Sequence, residues 1–214
     1  MAVVGLLGGT FNPVHNGHLQ LAESALTEGG MDSIMFIPAA QPPHKGDCHI
    51  IAVQHRLKML QLAISGNTHY SICGLELDRT QPSYTIHTLN NLRDRAGIDT
   101  VYHFIIGTDA FLEIETWFHW QEVIHTTNFM LAQRSGHAYA DVADLLERNG
   151  FVFIEADQKI WKHRYRGNIV KFLSGQIDDV SSSDIRKLRS AKKTWKHLVP
   201  HSVGLYIENN SLYC

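Results

Sequence analysis

The chain has 214 residues, of which 44% are hydrophobic and 19% are charged, and its formal net charge is −2. This composition is typical of one folded globular domain and excludes a disordered or fibrous protein, while the charge excludes a general affinity for nucleic-acid polymers. Three separated cysteines without a Cys-x-x-Cys pair argue against a disulfide framework or a zinc ribbon. Because no apolar run is as long as a membrane span, we expect a cytoplasmic protein whose residues 1–214 form a single domain without membrane contact.

Short apolar runs alternate with helical patterns along most of the chain. Strand patterns occur at residues 3–7, 33–37, 70–75, 101–106, 129–132 and 151–154. Helices are predicted at residues 18–27, 57–64, 83–93, 142–148, 182–188 and 200–208, the last two closing the chain from about residue 181. Residues 157–175 show a weaker pattern and are interpreted as loop plus short irregular strands. The alternation predicts an α/β fold with a Rossmann-like, doubly wound parallel sheet and helices on both faces.

The most distinctive motif, GGTFNPVHNGH at residues 8–18, lies between the first predicted strand and the first predicted helix. In open parallel sheets, ligands bind beyond the carboxyl ends of the strands, where a helix start offers N–H groups to phosphate. Gly8 and Gly9 would let a phosphate approach the backbone, and His15 and His18 could both donate to one anion. Neither a His-Glu-x-x-His motif nor a cysteine pair accompanies them, so no zinc site is expected. The motif therefore predicts a phosphate-binding loop.

A second phosphate contact is predicted at residues 180–186, VSSSDIR, at the start of a later helix. The hydroxyls of Ser181, Ser182 and Ser183 and the guanidinium of Arg186 are groups that bind phosphate oxygens. Alone, this segment would be an ordinary serine cap with a solvated arginine. Together with the histidine motif, it predicts a second contact on the same ligand.

The two motifs resemble those of the nucleotidyltransferase superfamily, Gly-[Thr/Ser]-Phe-Asp-Pro-x-His-x-Gly-His and Ile-Ser-Ser-Thr-x-Ile-Arg. Asn12 and Ser183 stand where the family most often has aspartate and threonine. The resemblance implies that His15, His18 and Arg186 are catalytic and hold the phosphates of ATP. It also implies ATP contacts from loop and helix-start residues, namely Gly8, Gly9, Thr10, Phe11, Ser181, Ser182 and Ser183.

A third segment, IIGTD at residues 105–109, ends a predicted strand with an acidic residue. It resembles the Ile-Ile-Gly-x-Asp motif of bacterial nicotinate-mononucleotide adenylyltransferases, which implies ATP contacts from Gly107 and Asp109. Arg134, which follows the strand at 129–132, is a further ATP contact implied by the same resemblance.

Three short segments are similar to the acceptor side of the same family. PPHK at residues 42–45 implies that Lys45 contacts the acceptor. SYT at residues 83–85 and TW at residues 116–117 imply that Thr85 binds a pyridine carboxylate and that Trp117 stacks on the ring. These roles suit a residue near a helix start and a flat aromatic face.

The chemistry expected from these residues is transfer of a nucleotidyl group without a covalent enzyme intermediate. The sequence contains no Gly-x-x-x-x-Gly-Lys-[Ser/Thr] loop, no nucleophile elbow and no activated cysteine. We therefore expect direct attack of an acceptor phosphate on ATP, with Mg²⁺ bound through the ATP phosphates and no metal site on the protein. The resemblance implies ATP and nicotinate mononucleotide as substrates, in NAD biosynthesis. Two alternatives stay open: another small-molecule enzyme, such as phosphopantetheine adenylyltransferase, and a nucleotide sensor without catalysis.

Overall fold

The computed structural model describes residues 1–40, 50–77, 82–95, 99–133, 139–155, 159–175 and 177–214. The strands are β1 (Ala2–Gly9), β2 (Ser33–Pro38), β3 (Tyr70–Ile72), β4 (Thr100–Gly107), β5 (Asn128–Ala132), β6 (Phe151–Glu155), β7 (Ile160–His163) and β8 (Ile169–Leu173). The helices are α1 (Asn16–Thr27), α2 (Val53–Ile64), α3 (Thr85–Arg95), α4 (Thr108–Leu112), α5 (Trp120–Thr126), α6 (Tyr139–Arg148), α7 (Ser182–Ser190) and α8 (His201–Asn209).

These strands form one sheet in the order β3-β2-β1-β4-β5-β8-β7-β6. From β3 to β8 the neighbouring strands run parallel, whereas β7 runs antiparallel to both β6 and β8. The predicted α/β fold with a Rossmann-like, doubly wound sheet is confirmed, and the observed sheet is mostly parallel.

The core consists of two apolar layers, one on each face of the sheet. In β4, Phe104 and Ile106 belong to one layer and Ile105 to the other, because successive side chains of a strand point to opposite faces. Apolar residues of α3, α5 and α6 complete the first layer, and those of α1, α2, α7 and α8 complete the second. Both faces are therefore covered by helices. No helix in the described part of the chain is long and apolar enough to cross a membrane.

Residues 157–175 were predicted to be loop plus short irregular strands. Two short strands, β7 and β8, do lie there, but they are regular members of the sheet. β8 is a regular strand inside the sheet, between β5 and β7, with Val170 and Phe172 buried. Lys171 interrupts the apolar run in the sequence and so hides the strand pattern. In the fold its Nζ donates a hydrogen bond to the Glu28 carbonyl at 2.8 Å. The predicted parallel pairing does not extend to this end of the sheet, because a short turn joins β7 to β8 and reverses the chain.

Five of the six predicted helices begin at residues other than those predicted, and two of these differences bear on the site. α1 begins at Asn16 with His15 as its N-cap, so His18 lies inside the helix and does not open it. α3 begins at Thr85 and not at Ser83. The helices α4 and α5 had no predicted counterparts, because 5 and 7 residues are too few to show a helical period.

Candidate active site

The segment of residues 8–18, here called the glycine–histidine loop, lies at the edge of the sheet where the parallel strands end. β1 pairs with β2 so that Gly9 lies opposite Pro38, and it pairs with β4 on its other side. The strand order reverses between β1 and β4. Ligands of open parallel sheets bind outside the strand ends at such a reversal. The loop predicted from sequence therefore occupies the expected binding position of this fold.

The two histidines stand together at the start of α1. The His15 backbone N–H donates to His18 Nδ1 at 3.2 Å, and the ring centroids lie 3.7 Å apart. Because His18 Nδ1 accepts this bond, a neutral His18 carries its proton on Nε2. The His15 side chain is buried. The structure thus brings both histidines to one helix start, with Nε2 as the donor nitrogen of His18.

Close packing explains three further positions of the glycine–histidine loop. The Phe11 ring is buried and meets the His18 ring edge to face, with centroids 5.0 Å apart, so a ligand can contact only its backbone. A Cβ on Gly9 would lie 3.0 Å from that Phe11 ring, and a Cβ on Gly17 would lie 3.0 Å from Val180 Cγ1. Gly17, to which the sequence analysis assigned no role, therefore lets α1 approach the segment before α7.

The serine-rich segment at the start of α7 is hydrogen-bonded to the glycine–histidine loop. Ser182 Oγ donates to the Pro13 carbonyl at 2.8 Å across 169 residues of chain. Arg186 Nη1 donates to the Asn12 carbonyl, also at 2.8 Å. The two motifs predicted to bind phosphate are therefore adjacent in the fold.

Polar contacts within α7 hold the remaining residues of this motif. Ser181 is the N-cap, and its Oγ accepts the Asp184 backbone N–H at 3.1 Å. Ser183 Oγ accepts from Arg186 Nη2 at 3.1 Å. Both Nη atoms of Arg186 therefore donate hydrogen bonds, one to the glycine–histidine loop and one to the start of α7.

A cavity of about 280 Å³ opens at the glycine–histidine loop. Gly8, Gly9 and Thr10 line it, and so do Thr85 and Trp117. The described lining residues do not include Phe11, His15, His18, Ser181, Ser182, Ser183 or Arg186. Three residues predicted for ATP and two predicted for the acceptor therefore share this cavity. This is the arrangement that direct transfer between two bound substrates requires.

Aromatic rings form much of the cavity wall away from the loop. Tyr84 stacks on Phe118 with centroids 4.5 Å apart, and Phe104 meets Trp117 edge to face at 6.2 Å. All four of these residues line the cavity. A flat aromatic ligand suits such a wall.

The remaining predicted contacts divide into two groups. Gly107 is the N-cap of α4, and Asp109 lies in its first turn; the neighbouring Ile106 and Ala110 line the cavity. Lys45 and Arg134 lie outside the described residues.

Arg56, on α2, is a buried cation that the sequence analysis missed. It is 2% exposed, and burial lowers the pKa of its guanidinium. The guanidinium donates to four backbone carbonyls, those of Thr10 at 2.8 Å, Ala39 at 2.7 Å, Ala40 at 3.4 Å and Ile51 at 3.3 Å. It therefore ties the glycine–histidine loop to the residues that follow β2 and precede α2. The sequence does carry a signal for this burial, because Arg56 lies four positions before Leu60 and therefore on the apolar face of the helix.

Tyr213 contacts the same loop from the carboxyl-terminal segment. Its hydroxyl donates to Asn12 Oδ1 at 2.8 Å, and burial raises the pKa of that hydroxyl, so it is a donor at neutral pH. Nearby, Asn16 Nδ2 donates to the His197 carbonyl at 2.9 Å. Residues after α7 thus brace the loop, which no local motif indicated.

Comparisons with known proteins identify the family. Residues 6–188 match the family model described as cytidylyltransferase-like. A relative from Desulfotalea psychrophila, named "Probable nicotinate-nucleotide adenylyltransferase", is 36% identical over 215 residues, covering 100% of both chains. A relative of the same name from Geotalea uraniireducens is 37% identical over 213 residues, covering 98% of this chain and 97% of its own.

A solved structure shows the same fold at lower sequence similarity. This structure is Plasmodium falciparum nicotinic acid mononucleotide adenylyltransferase complexed with NaAD. Its sequence is 15% identical to this chain, and the two structures superpose with a TM-score of 0.78 over 100% of this chain and 98% of the other. The relatives that are 36% and 37% identical over nearly the whole chain show more than a shared fold. The chain belongs to the nicotinate-nucleotide adenylyltransferase family.

Proposed function

We propose that this protein transfers the AMP unit of ATP to nicotinate mononucleotide, giving deamido-NAD and pyrophosphate. The observation that carries the proposal is the shared cavity, which residues 8–10 at the start of the glycine–histidine loop line together with Thr85 and Trp117. Family membership supports it, because relatives that match nearly the whole chain carry the name of this activity.

The ATP phosphates are proposed to lie between the starts of α1 and α7. His15 and His18 stand at the first start, where N–H groups and the helix dipole favour an anion. Arg186 stands at the second, with its guanidinium held against the loop carbonyl of Asn12. These groups would offset the negative charge that gathers on the transferring and leaving phosphates. Gly107, Asp109 and Arg134 stay predicted contacts of the nucleotide.

The proposed reaction is a single in-line displacement. A phosphate oxygen of the acceptor forms a bond to the α-phosphorus of ATP, while the bond from that phosphorus to the bridging oxygen breaks and pyrophosphate leaves. The acceptor phosphate is already an anion at neutral pH, so no general base is required. The protein contributes alignment of the two substrates and compensation of charge.

The pyridine ring of the acceptor is proposed to lie in the aromatic part of the cavity. Trp117 offers a flat ring for stacking. Thr85 is the first residue of α3, and a helix start together with a hydroxyl suits the ring carboxylate. Lys45 stays a predicted contact on the same side.

Mg²⁺ fits this site as an ion bound through ATP. The helix starts at this site offer N–H groups, which bind anions such as the ATP phosphates and not cations. We therefore propose that phosphate oxygens and water supply most of its ligands, and that it neutralises the triphosphate. Excess chelator is expected to abolish turnover, and full activity in chelator would contradict this proposal.

The experiment that tests the function compares acceptors. Pyrophosphate release from ATP and Mg²⁺ is measured with nicotinate mononucleotide, nicotinamide mononucleotide and phosphopantetheine, with His18→Ala as the inactive control. A preference for the nicotinate form is expected. Release with phosphopantetheine alone would keep the chemistry and overturn the substrate. ATP binding without release, for any of the three, would favour a sensor.

We also propose a cytoplasmic location, because the ATP and mononucleotide substrates are found there. Residues 1–214 are proposed to act as one catalytic domain, since the described strands form one continuous sheet.

A further inference from the structure

The wall of the cavity carries a buried carboxylate that is not among the predicted ATP or acceptor contacts. Glu76 lies between β3 and α3, lines the cavity and is only 7% exposed. Its Oε1 accepts a hydrogen bond from Thr88 Oγ1 at 2.7 Å. None of the ion pairs formed among the described residues includes Glu76. A carboxylate is costly to bury in such surroundings unless a cation joins it.

The charged residues among the described cavity lining are all acidic. The described lining residues include two acids, Glu76 and Glu113, and no lysine, arginine or histidine. The same cavity is also lined by the aromatic residues Tyr84, Phe104, Trp117 and Phe118. Aromatic faces attract cations, and a buried carboxylate attracts them more strongly than an exposed one does. The wall is therefore suited to a flat ring that carries a positive charge.

The acceptor of the proposed reaction has such a ring. The pyridine nitrogen of a mononucleotide bears the ribose and is therefore a permanent cation, whereas the reduced dihydropyridine form of the same molecule has an uncharged ring. The two forms share the ribose, the phosphate and the ring carboxylate. Charge is therefore the main property by which Glu76 could distinguish them.

The positions along α3 suit this ring. Thr85 and Thr88 are one helical turn apart, roughly 4.5 Å along the axis. This is about the separation between a pyridine nitrogen and a carboxylate on the ring's meta carbon. A carboxylate bound at Thr85 would therefore leave the positive nitrogen near Glu76, which Thr88 holds.

We infer that Glu76 is a specificity-determining residue that recognises the positive charge of the pyridinium ring, so that the oxidised acceptor is selected over the reduced one. This inference rests on the proposed function. It assigns Glu76 to binding and not to the chemical step, so loss of its charge raises KM for the oxidised acceptor and changes kcat little.

The test is a comparison of two acceptors in two proteins. Values of kcat/KM are measured for nicotinate mononucleotide and its dihydropyridine form, with the wild type and with Glu76→Gln. Glutamine keeps an oxygen that can accept the Thr88 hydrogen bond and removes only the charge. The wild type is expected to prefer the oxidised acceptor, and the variant to lose at least about tenfold of that preference through KM. Glu147→Gln is the matched control and should change the ratio less than about twofold, because Glu147 is an exposed residue of α6 and is not among the described residues that line the cavity.

Other outcomes would overturn either this inference or the proposed function. An unchanged preference in Glu76→Gln overturns the inference, as does a loss that lies entirely in kcat. If that variant does not fold, calorimetric binding of both acceptor forms to the wild type decides, and equal affinities overturn the inference. Failure of the wild type to use either mononucleotide would instead overturn the proposed function.

Discussion

The two halves of the cleft are built in different ways. The phosphate half is a run of backbone, the glycine–histidine loop, whose carbonyls at Thr10, Asn12 and Pro13 accept bonds from α2 and α7. The acceptor half is a wall of side chains, four of them aromatic, that come from separate parts of the chain. In the first half, binding depends on how the backbone is held. In the second half, it depends on which ring or charge each side chain presents.

This difference predicts different consequences of mutation. Changes to residues that hold or form the phosphate half should reduce turnover whichever acceptor is used. Changes in the acceptor half should act on KM for the acceptor and leave ATP binding nearly unchanged. The following substitutions test this contrast, beginning with the largest expected effect.

Replacing His18 by alanine should have the largest effect on catalysis. We expect His18→Ala to lower kcat by at least about 100-fold, because a preorganised donor at the transferring phosphate is lost. Steady-state pyrophosphate release measures this, and circular dichroism checks that the variant is folded. His201→Ala is the control, since His201 is an exposed histidine on α8. Near-normal turnover in His18→Ala would remove His18 from the mechanism.

Replacing Arg56 by methionine should weaken both the fold and the phosphate half. The four carbonyls bound by Arg56 would lose a charged donor, so we expect a loss of about 3 kcal/mol in the free energy of unfolding. Because the Thr10 carbonyl is then released, kcat should fall roughly tenfold with every acceptor. Urea denaturation and pyrophosphate release measure the two effects.

Arg56→Lys serves as the comparison for this change. Lysine keeps the charge but lacks the planar fork that reaches several carbonyls, so we expect intermediate stability and turnover. A methionine variant with wild-type turnover would show that holding the Thr10 carbonyl is unimportant for catalysis.

Replacing Trp117 by alanine should act on the acceptor half alone. We expect Trp117→Ala to raise KM for nicotinate mononucleotide about tenfold, because stacking on the ring is lost, and to change KM for ATP less than about twofold. Trp117→Phe keeps an aromatic face and should lie between the alanine variant and the wild type. Equal rises in both KM values would contradict the division of the cleft into two halves.

Replacing Tyr213 by phenylalanine should have the smallest effect. Loss of its bond to Asn12 Oδ1 should cost about 1 kcal/mol in the free energy of unfolding. Because burial raises the pKa of Tyr213, the phenol's contribution is fully present below the ordinary tyrosine pKa of about 10 and is lost as the pH rises through the raised value.

Denaturation of Tyr213→Phe at several pH values tests this dependence. The difference from the wild type should be constant between about pH 6 and 9. Tyr165→Phe is the control and should have no effect, since Tyr165 is 89% exposed. A difference that changed across this range would mean that the phenol titrates near neutrality.

The same contrast explains what could be predicted from sequence. The glycine–histidine loop is one continuous motif, so its place after β1 and before α1 followed from the local pattern. Its supports did not, because Arg56 and Tyr213 reach the loop from positions far along the chain. Glu76 was missed for a related reason: its burial depends on how α3 packs beside it, as the bond from Thr88 shows.

The strand β8 shows a second limit of local patterns. Its single lysine made a buried strand resemble a surface segment. Only the fold shows that the Lys171 ammonium reaches the Glu28 carbonyl at the end of α1, so that the strand can lie inside the sheet.

The most direct test of the central claim follows the α-phosphate of ATP. ATP labelled in that phosphate is incubated with the protein, Mg²⁺ and nicotinate mononucleotide, and the products are separated by chromatography. If the protein transfers AMP to this acceptor, the label enters deamido-NAD and the pyrophosphate is unlabelled. Label recovered only in free AMP, or left in ATP while the acceptor is unchanged, would contradict transfer of AMP to this acceptor.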